Sequence, residues 1–305
     1  MAAISLHLVD GNVESQAEQR TLERAVAGRY RVIDLISRGG MGSVYRGWEH
    51  GLERHVAIKM LAPSRCRDAE DRGRFRREAR ILAGLAHPGI VPVLAIGEKD
   101  ACWFSMPYLS GGTLAAELDR TPKLDEQRIR AILLQLADAL AFAHDHQVVH
   151  RDLKAENICF DASGRVVLTD FGVATLRTSD HSRSEITKGM GTARYMPPEQ
   201  LLGSPDSDAR ADLYALGVLG FRMLTGRFPF EGNDAQVAAQ HLAGEVPPVA
   251  AYASDAPADL AAIVDRCLAR KPDRRFRSAG HVRDALTRRA KPGRFGWLNR
   301  VASLL

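Results

Sequence analysis

Short runs of β-branched and aromatic residues fill the first third of the chain, and glycines or charged turns separate them. This pattern predicts a β-rich region. Its strands are expected over five segments, namely YRVIDLIS (30–37), SVYRGWE (43–49), HVAIKML (55–61), IVPVLAIG (90–97) and CWFSMPYL (102–109). One helical stretch, Asp68–Leu85, interrupts the strands, and a short helix over Glu14–Ala27 is predicted ahead of them.

Apolar residues recur at helical spacing after Gly111 and Gly112. The segment RIRAILLQLADALAFAHDH (128–146) is long enough for a buried helix. Two strand-like runs follow it, NICFD (157–161) and RVVLTD (165–170). Further helices are predicted over Ala209–Leu224, Asp234–Leu242, Pro257–Leu268 and Ala279–Arg289. A β-rich first third joined to a helical remainder predicts an α+β architecture of two lobes, hinged near Pro107–Gly112.

Composition and charge narrow the class of protein. Apolar residues make up 45% and charged residues 26% of the 305 residues, as in soluble globular proteins. The net charge of the whole chain is +5, but the segment from Asp265 to Arg300, with 12 lysines and arginines and 3 aspartates, carries +9, so the rest of the chain carries about −4. This basic segment lacks a nucleic-acid recognition motif, so a solvated helix face is favoured and no nucleic-acid partner is expected.

Cysteine usage and hydropathy indicate a cytoplasmic protein. No two of the four cysteines form a Cys-x-x-Cys pair, which disfavours a zinc site or a disulfide framework and fits a reducing compartment. The first 20 residues do not read as a signal peptide, and no run reaches the ~18 apolar residues of a membrane span. The tail KPGRFGWLNRVASLL (291–305) suits packing on its own domain or, less often, contact with an acidic membrane surface or a partner.

Two features of the β-rich region have the residue types of a phosphate site. The turn RGGMGSVY (38–45) offers backbone N–H groups to a phosphate chain without side-chain obstruction, although taken alone it is better explained as a tight hairpin. Lys59 ends an apolar strand, where it either reaches solvent or holds phosphates from within a cleft. Glu78, in the helical segment RFRREARIL (74–82), would pair with Lys59 if it faces inward.

The segment VHRDLKAEN (149–157) carries the most specific chemistry. In this loop Asp152 can accept a hydroxyl proton, while Lys154 can neutralise charge on a transferring phosphoryl group. Asn157 and Asp170, the latter in Asp-Phe-Gly at a strand end, provide oxygen ligands for Mg²⁺. Capping and turn roles remain the alternative for each of these residues taken singly.

In this order and context, these segments resemble the signature set of the protein kinases. Further matches are MPPE (196–199), similar to the family's APE element, RADLYALG (210–217), similar to the start of its large buried helix, and PDRRF (272–276), similar to its closing element. Four segments are most similar in sequence to the bacterial, eukaryotic-like Ser/Thr kinases, namely GGMGSVYRG, FRREARIL, LAHPGIV and GTARYMPPEQ. The resemblance implies the bilobal kinase fold over 29–290, with an N-lobe of about 29–108 and a C-lobe of about 109–290. An extension of unknown role (1–28) precedes it and the tail (291–305) follows.

The resemblance also implies the substrates and the roles of single residues. ATP and Mg²⁺ are expected, with Mn²⁺ as a substitute, and Asn157 and Asp170 would hold two metal ions. Lys59, held by Glu78, would grip the α- and β-phosphates, and Asp152 would act as the base. The nucleotide would further contact the glycine-rich turn and the adenine site, formed by Ser37, Gly39, Gly40, Gly42, Val44, Ala57, Met106, Pro107, Leu109 and Cys159. A buried pair between Glu199 and Arg275, and Asp212 bracing the catalytic loop, would be structural.

Specificity and regulation follow from the same resemblance. Lys154 in the catalytic loop and Thr192 both match the pattern of Ser/Thr kinases. Thr192 would also shape the platform for the protein substrate. Arg151 before the base is typical of kinases controlled by phosphorylation of the loop after Asp-Phe-Gly, for which Ser184 and Thr187 are the preferred acceptors. A homodimer would serve autophosphorylation.

Three departures from the family pattern leave every catalytic group in place. Ser37 replaces the first glycine of the loop, Cys159 replaces a bulkier residue below the adenine, and Arg222 stands where relatives often have glutamate. The alternative function is a pseudokinase that binds nucleotide as a scaffold. A small-molecule phosphotransferase is disfavoured by the complete segment 191–199.

Overall fold

A computed structural model describes residues 16–171, 192–204 and 208–288. The first of these ranges opens with a helix, α1, over 16–25. Five strands follow and form one antiparallel sheet in the order β1-β2-β3-β5-β4. They are β1 (Tyr30–Gly39), β2 (Gly42–Glu49), β3 (Arg54–Leu61), β4 (Ala95–Gly97) and β5 (Trp103–Pro107). Helix α2 (Ala69–Gly84) lies between β3 and β4 in the chain, and Asp68 caps it by accepting hydrogen bonds from the N–H groups of Glu70 and Asp71.

The predicted strand over 90–97 is wrong in its first half, since only Ala95–Gly97 is a strand. Ile90 instead forms an isolated parallel bridge with Leu168, and the Val91 N–H donates to the Leu168 carbonyl at 3.0 Å. Both residues are buried. Pro92 has no N–H to contribute to a sheet, so the segment joins the sheet only after it.

The second lobe is mainly helical, and its predicted helices are all present, with ends within two residues of the expected ones. Its elements are α3 (Leu114–Arg120), α4 (Glu126–Asp145), β6 (Ile158–Phe160), β7 (Val166–Leu168), α5 (Pro198–Leu201), α6 (Arg210–Thr225), α7 (Asp234–Ala243), α8 (Ala258–Cys267) and α9 (Ala279–Thr287). Strands β6 and β7 form an antiparallel pair. Helix α3 was not predicted separately, because seven residues carry too little periodicity. Across the described ranges, no helix has the length and apolar character needed to cross a bilayer.

Two apolar clusters account for the packing. The larger spans both lobes and includes α6, whose side chains are buried on nearly every face, as in a helix that forms a core. The smaller lies on the outer face of the five-stranded sheet, where Leu22 and Val26 pack with Tyr45, Ile58 and Trp103. The N-terminal extension therefore contributes apolar residues to this cluster.

A buried ion pair joins α5 to the segment before α9. The fully buried Arg275 donates from Nη1 and Nη2 to the two carboxylate oxygens of Glu199, at 2.6 and 2.9 Å, which confirms the pairing predicted from the sequence. Its remaining donors reach the carbonyls of Ala269, Arg270 and Arg210. Every N–H of the guanidinium group that faces the core thus has an acceptor.

Removing this guanidinium should destabilise the fold strongly. We expect Arg275→Met to lower the free energy of unfolding by about 3–5 kcal/mol, because it leaves the Glu199 carboxylate buried and unpaired. Arg283→Met is the matched control, since it removes the same group from an exposed pair with Asp138 and should change stability by less than about 1 kcal/mol. Urea denaturation of both variants measures the difference, and equal stabilities would contradict the prediction.

Candidate active site

Lys59 lies at the junction of the two lobes, on β3. Its Nζ atom donates to Glu78 Oε1 of α2 at 2.7 Å and to Asp170 Oδ1, just after β7, at 3.0 Å. Glu78 faces inward because it shares the buried side of α2 with Phe75, Ala79 and Leu82. One ammonium group is thus shared by a carboxylate from each lobe.

The charges of this cluster stabilise one another. Burial alone would lower the pKa of Lys59, but the neighbouring Asp170 and Glu78 carboxylates outweigh it and raise that pKa above its usual value. Burial would likewise raise the pKa of Asp170, and the Lys59 ammonium outweighs it and lowers that pKa. Lys59 and Asp170 are therefore both charged at neutral pH.

The catalytic-loop segment places three polar side chains together at the cleft. Lys154 Nζ donates to Asp152 Oδ2 at 2.8 Å. Asn157, in a short 3₁₀ turn over Ala155–Asn157, donates from Nδ2 to the Asp152 carbonyl at 2.9 Å and to Oδ2 at 3.1 Å. The Asp152 carboxylate is thereby oriented from two sides, while its side chain stays partly exposed.

Asp212, at the start of α6, holds this loop from beneath. Each of its carboxylate oxygens accepts one backbone N–H at 2.8 Å, from His150 and from Arg151. His144 Nε2 donates to one of the same oxygens at 2.8 Å. Burial would raise the pKa of Asp212, but the hydrogen bond and charge of His144 and the other neighbouring donors, among them the Arg151 N–H, together outweigh it and lower that pKa. The carboxylate is therefore ionised and accepts three hydrogen bonds.

His150 connects the catalytic loop to the segment that carries Asp170. Burial lowers its pKa, so the ring is neutral at physiological pH. Its Nε2 lies 3.1 Å from the Thr169 carbonyl and donates to it, and its Nδ1 accepts the Asp152 N–H at 3.3 Å. The ring of the buried Phe171 lies 4.5 Å from that of His150, centroid to centroid. These contacts set the distance between the Asp152 and Asp170 segments.

The glycine-rich turn connects β1 and β2, with Gly39 opposite Gly42. A Cβ atom at Gly42 would lie 2.0 Å from the Met60 carbonyl oxygen, so only glycine fits there. Added Cβ atoms at Gly39 and Gly40 would meet no protein atom within 4 Å. Because these two glycines are not required by contacts within the protein, they leave room for a ligand to approach the backbone. Ser37 lies opposite Val44 and is exposed.

Most of the residues predicted around the adenine lie on β2, β3 and β5 or just after β5. Ala57 pairs with Met106 across β3 and β5, and both are buried. Pro107 ends β5, and the partly buried Leu109 follows it. Cys159 comes from the other lobe, and burial raises the pKa of its thiol to about 11, so it remains a neutral, apolar surface.

The Asp170 and Asn157 side chains fit a magnesium site. Asn157 directs its amide nitrogen to Asp152, which leaves its side-chain oxygen as a metal ligand. In the described ranges no group of three or more His, Cys, Asp or Glu side chains could hold a metal by itself. Mg²⁺ is commonly bound by one or two carboxylates together with substrate phosphates.

Some predicted residues lie beyond the described ranges. Ser184 and Thr187 fall between residues 171 and 192, as does the glycine of Asp-Phe-Gly. For Thr192 only the backbone is described, at the start of the 3₁₀ turn Thr192–Tyr195.

Sequence reasoning missed three residues that support the site. His144 is one of many residues of a long predicted helix, and Gln200, whose Nε2 donates to the Arg151 carbonyl at 2.9 Å, lies in the segment GTARYMPPEQ without a role of its own. Glu18 in the extension is buried, and its spacing of four residues from Leu22 and eight from Val26 was a usable signal for a face directed at the core.

Comparisons with known proteins identify the family model and the relatives that the chain matches. The model of the family described as "Protein kinase domain" matches residues 30–286. Serine/threonine-protein kinase PrkC of Bacillus subtilis is 36% identical over 258 residues, which cover 84% of this chain and 40% of PrkC. Serine/threonine-protein kinase PknA of Mycobacterium tuberculosis is 37% identical over 269 residues, covering 86% of this chain and 61% of PknA. The chain thus spans less than two thirds of the length of these relatives.

A solved structure is similar over most of the chain. The crystal structure of the Mycobacterium tuberculosis PknI kinase domain superimposes with a TM-score of 0.65 at 30% sequence identity. The match covers 85% of this chain and 94% of that one. It supports the bilobal fold predicted from the sequence, including the five-stranded sheet and the helical second lobe.

The hydrogen bonds accepted by the two carboxylate oxygens of Asp212 lead to a testable prediction. Asp212→Asn turns one oxygen into an NH₂ group that faces a backbone N–H, so we expect the free energy of unfolding to fall by about 3 kcal/mol. Amide hydrogen exchange at residues 150–152 should become faster. Asp284→Asn, at an exposed position of α9, should change stability by less than about 0.5 kcal/mol. Unchanged exchange in Asp212→Asn would show that the carboxylate does not hold the loop.

Proposed function

This chain is a member of the protein kinase domain family, and from that membership and its site we propose that it is a Ser/Thr protein kinase. It would transfer the γ-phosphoryl group of Mg-ATP to serine and threonine hydroxyls of proteins. Members of this family use ATP and a divalent metal ion. The observation that carries the proposal is the assembly, at one cleft, of the Lys59–Glu78–Asp170 cluster and the Asp152–Lys154–Asn157 cluster.

The proposed reaction assigns a step to each cluster. Asp152 takes the proton of the substrate hydroxyl, whose oxygen forms a bond to the γ-phosphorus while the bond from phosphorus to the bridging oxygen breaks and ADP leaves. Lys154, 2.8 Å from Asp152, neutralises charge on the phosphoryl group during transfer. Lys59, fixed by Glu78, binds the α- and β-phosphates, and the glycine-rich turn covers them.

Mg²⁺ held by Asp170 and Asn157, with Mn²⁺ as a substitute, would neutralise the phosphate charge. The adenine would lie between Val44 and Ala57 on one side and Cys159 on the other. The backbone of Pro107 and Leu109 would contact its edge, with Met106 behind it. Proximity in the sheet supports the assignments of Val44, Ala57, Met106 and Pro107, and the burial of Cys159 supports an apolar role for its side chain.

Regulation is proposed to act through autophosphorylation at Ser184 or Thr187, with Arg151 and its neighbourhood responding to the phosphate. Two copies of the chain would allow one to phosphorylate the other. Protein substrates would be presented at the segment that begins with Thr192. We place this chain in the cytoplasm, with the basic tail at 291–305 as the segment suited to contact with an acidic membrane surface.

The proposal is tested by intact-mass and tryptic phosphosite analysis after incubation with Mg-ATP and a generic protein substrate. Asp152→Asn should slow transfer by at least about 100-fold, since it removes the base, and Lys59→Met should do the same by releasing the phosphates. Asp255→Asn and Lys123→Met are the matched controls. These two residues form an exposed ion pair at 2.9 Å, and both variants should retain wild-type activity.

The possible results separate the proposal from its alternative. Phosphate gained by the wild type on serine or threonine supports kinase activity, and the positions located between 172 and 191 identify the regulatory sites. Tight Mg-ATP binding without transfer to the chain itself or to the generic protein substrate would instead favour a pseudokinase that acts as a nucleotide-binding scaffold.

Arg222 suggests a second, narrower proposal about substrates. It extends from α6 toward Tyr195, donating to its hydroxyl at 3.1 Å, and its guanidinium carbon lies 4.7 Å from the ring centre of Phe228. Tyr195 belongs to the segment proposed to present substrates. A positive charge here would repel arginine and lysine side chains that precede the target residue.

We therefore expect a peptide library to show no requirement for upstream basic residues. Arg222→Glu should raise kcat/KM for peptides with upstream arginine by about fivefold relative to neutral ones, by reversing the local charge. Arg227→Glu, at an exposed residue paired with Glu231, is the control for charge reversal and should leave the profile unchanged. A wild-type profile that strongly favours upstream arginine would contradict this proposal.

A further inference from the structure

The first helix of the chain reaches the glycine-rich turn from the side opposite the cleft. On α1, the carboxylate of Glu18 forms an ion pair with Arg38 Nη2 and accepts a hydrogen bond from Ser43 Oγ at 3.0 Å. Arg38 and Ser43 are direct partners in the β1–β2 register, one position before the Gly39–Gly42 pair. A single side chain from outside the sheet therefore bonds to both strands at the base of the turn.

The Glu18 contact differs from an ion pair on the protein surface because its carboxylate is buried. Glu18 is 8% exposed and Ser43 is 1% exposed. A carboxylate at this depth requires compensating donors, and the two donors it has are those of the hairpin. The negative charge also reaches the next residue on that face, since burial and the Glu18 charge together raise the pKa of Tyr45.

The position of α1 is set independently by apolar packing. Leu22 and Val26, four and eight residues after Glu18, are buried in the cluster on the outer face of the sheet. This spacing places all three side chains on one face of the helix. The apolar contacts hold α1 in place, and Glu18 is then directed at the hairpin.

Side chains alternate between the two faces of β2, so a contact on the outer face also restrains the backbone that lines the cleft. Ser43 and Tyr45 face α1, whereas Val44 between them faces the cleft, opposite Lys59 on β3. The backbone N–H groups of the turn, which are the groups available to phosphates, belong to the same short hairpin. Fixing Ser43 and Arg38 from behind thus limits how far this hairpin can move.

We propose that Glu18 is a positioning residue for nucleotide binding, which holds the glycine-rich turn through Ser43 and Arg38 in the conformation that contacts ATP phosphates. The proposal rests on the proposed function, because it assumes that the cleft binds Mg-ATP. It gives a role to the N-terminal extension, and it assigns a residue outside the segment matched by the family model, which begins at residue 30.

The test compares Glu18→Gln with Glu23→Gln, in the full chain. Glu23 lies on the exposed face of the same helix, so its variant makes the same chemical change without touching the hairpin. The measurements are KM for ATP and kcat, Kd for Mg-ATP from a fluorescent nucleotide analogue, Tm, and amide hydrogen exchange over residues 38–44. We expect Glu18→Gln to raise KM and Kd about fivefold with kcat within about twofold, as for a lost charged hydrogen bond. Exchange at 38–44 should be faster, and Glu23→Gln should match the wild type throughout.

A double-mutant cycle with Arg38→Gln locates the effect. If Glu18 acts through Arg38, the double variant should raise Kd no further than the more affected single variant. Full additivity would overturn the proposed route. A lower Tm in Glu18→Gln with unchanged Kd, KM and hairpin exchange would show a merely structural role and overturn the proposal as a whole.

Mg-ATP binding and phosphate transfer by the wild type separate failure of this proposal from failure of the proposed function. If the wild type binds no Mg-ATP and transfers no phosphate, the proposed function fails and the nucleotide-binding role of Glu18 fails with it. If the wild type binds and transfers normally while Glu18→Gln and Glu23→Gln behave alike, the proposed function stands and only the role of Glu18 is rejected.

Discussion

The burial of one ammonium group constrains how the two lobes meet. A lysine in a cleft of low polarity is tolerated only when carboxylates compensate its charge. For Lys59 these carboxylates come from Glu78 on α2 and from Asp170, two residues after β7, at 2.7 and 3.0 Å. Neither Glu78 nor Asp170 could move away without leaving charge unpaired, so the same contacts that orient Lys59 also hold α2 against the sheet and the sheet against the second lobe.

The second lobe meets a different constraint, which is backbone strain beside the reacting groups. Arg151 and Asp170 both have positive φ, at 64° and 53°, in a region that non-glycine residues rarely occupy. Such conformations cost about 1–3 kcal/mol each and persist only where the surroundings impose them. Here Asp212 accepts the Arg151 N–H, and the neutral His150 donates to the carbonyl just before Asp170. The helix that supplies Asp212 is buried on nearly all sides, so the restraint is anchored in the core of the lobe.

Much of this arrangement could be predicted from the sequence, because it depends on local patterns. Helix and strand periodicity located the longer helices and four of the five sheet strands, and the motif residues Lys59, Asp152 and Asp170 were recognisable by type and spacing. What could not be predicted depends on contacts between distant segments. The strand over 90–97 was shortened by the pairing of Ile90 with Leu168, and the support of Asp212 by His144 requires two helices to be adjacent. Neither of these contacts can be predicted from the secondary-structure propensity of a local segment.

The extension before β1 illustrates the same limit, and it changes how the N-lobe is understood. From the sequence it was a polar segment of unknown role, yet Leu22 and Val26 belong to the apolar cluster on the outer face of the sheet. Strands β2 and β3 therefore have protein on that face and the cleft on the other. Because side chains alternate along a strand while sharing one backbone, packing on the outer face restricts the backbone that the cleft face must use. The geometry of the nucleotide site is thus set from both sides of a single layer of strands, by Lys59 and its carboxylates within the cleft and by α1 behind it.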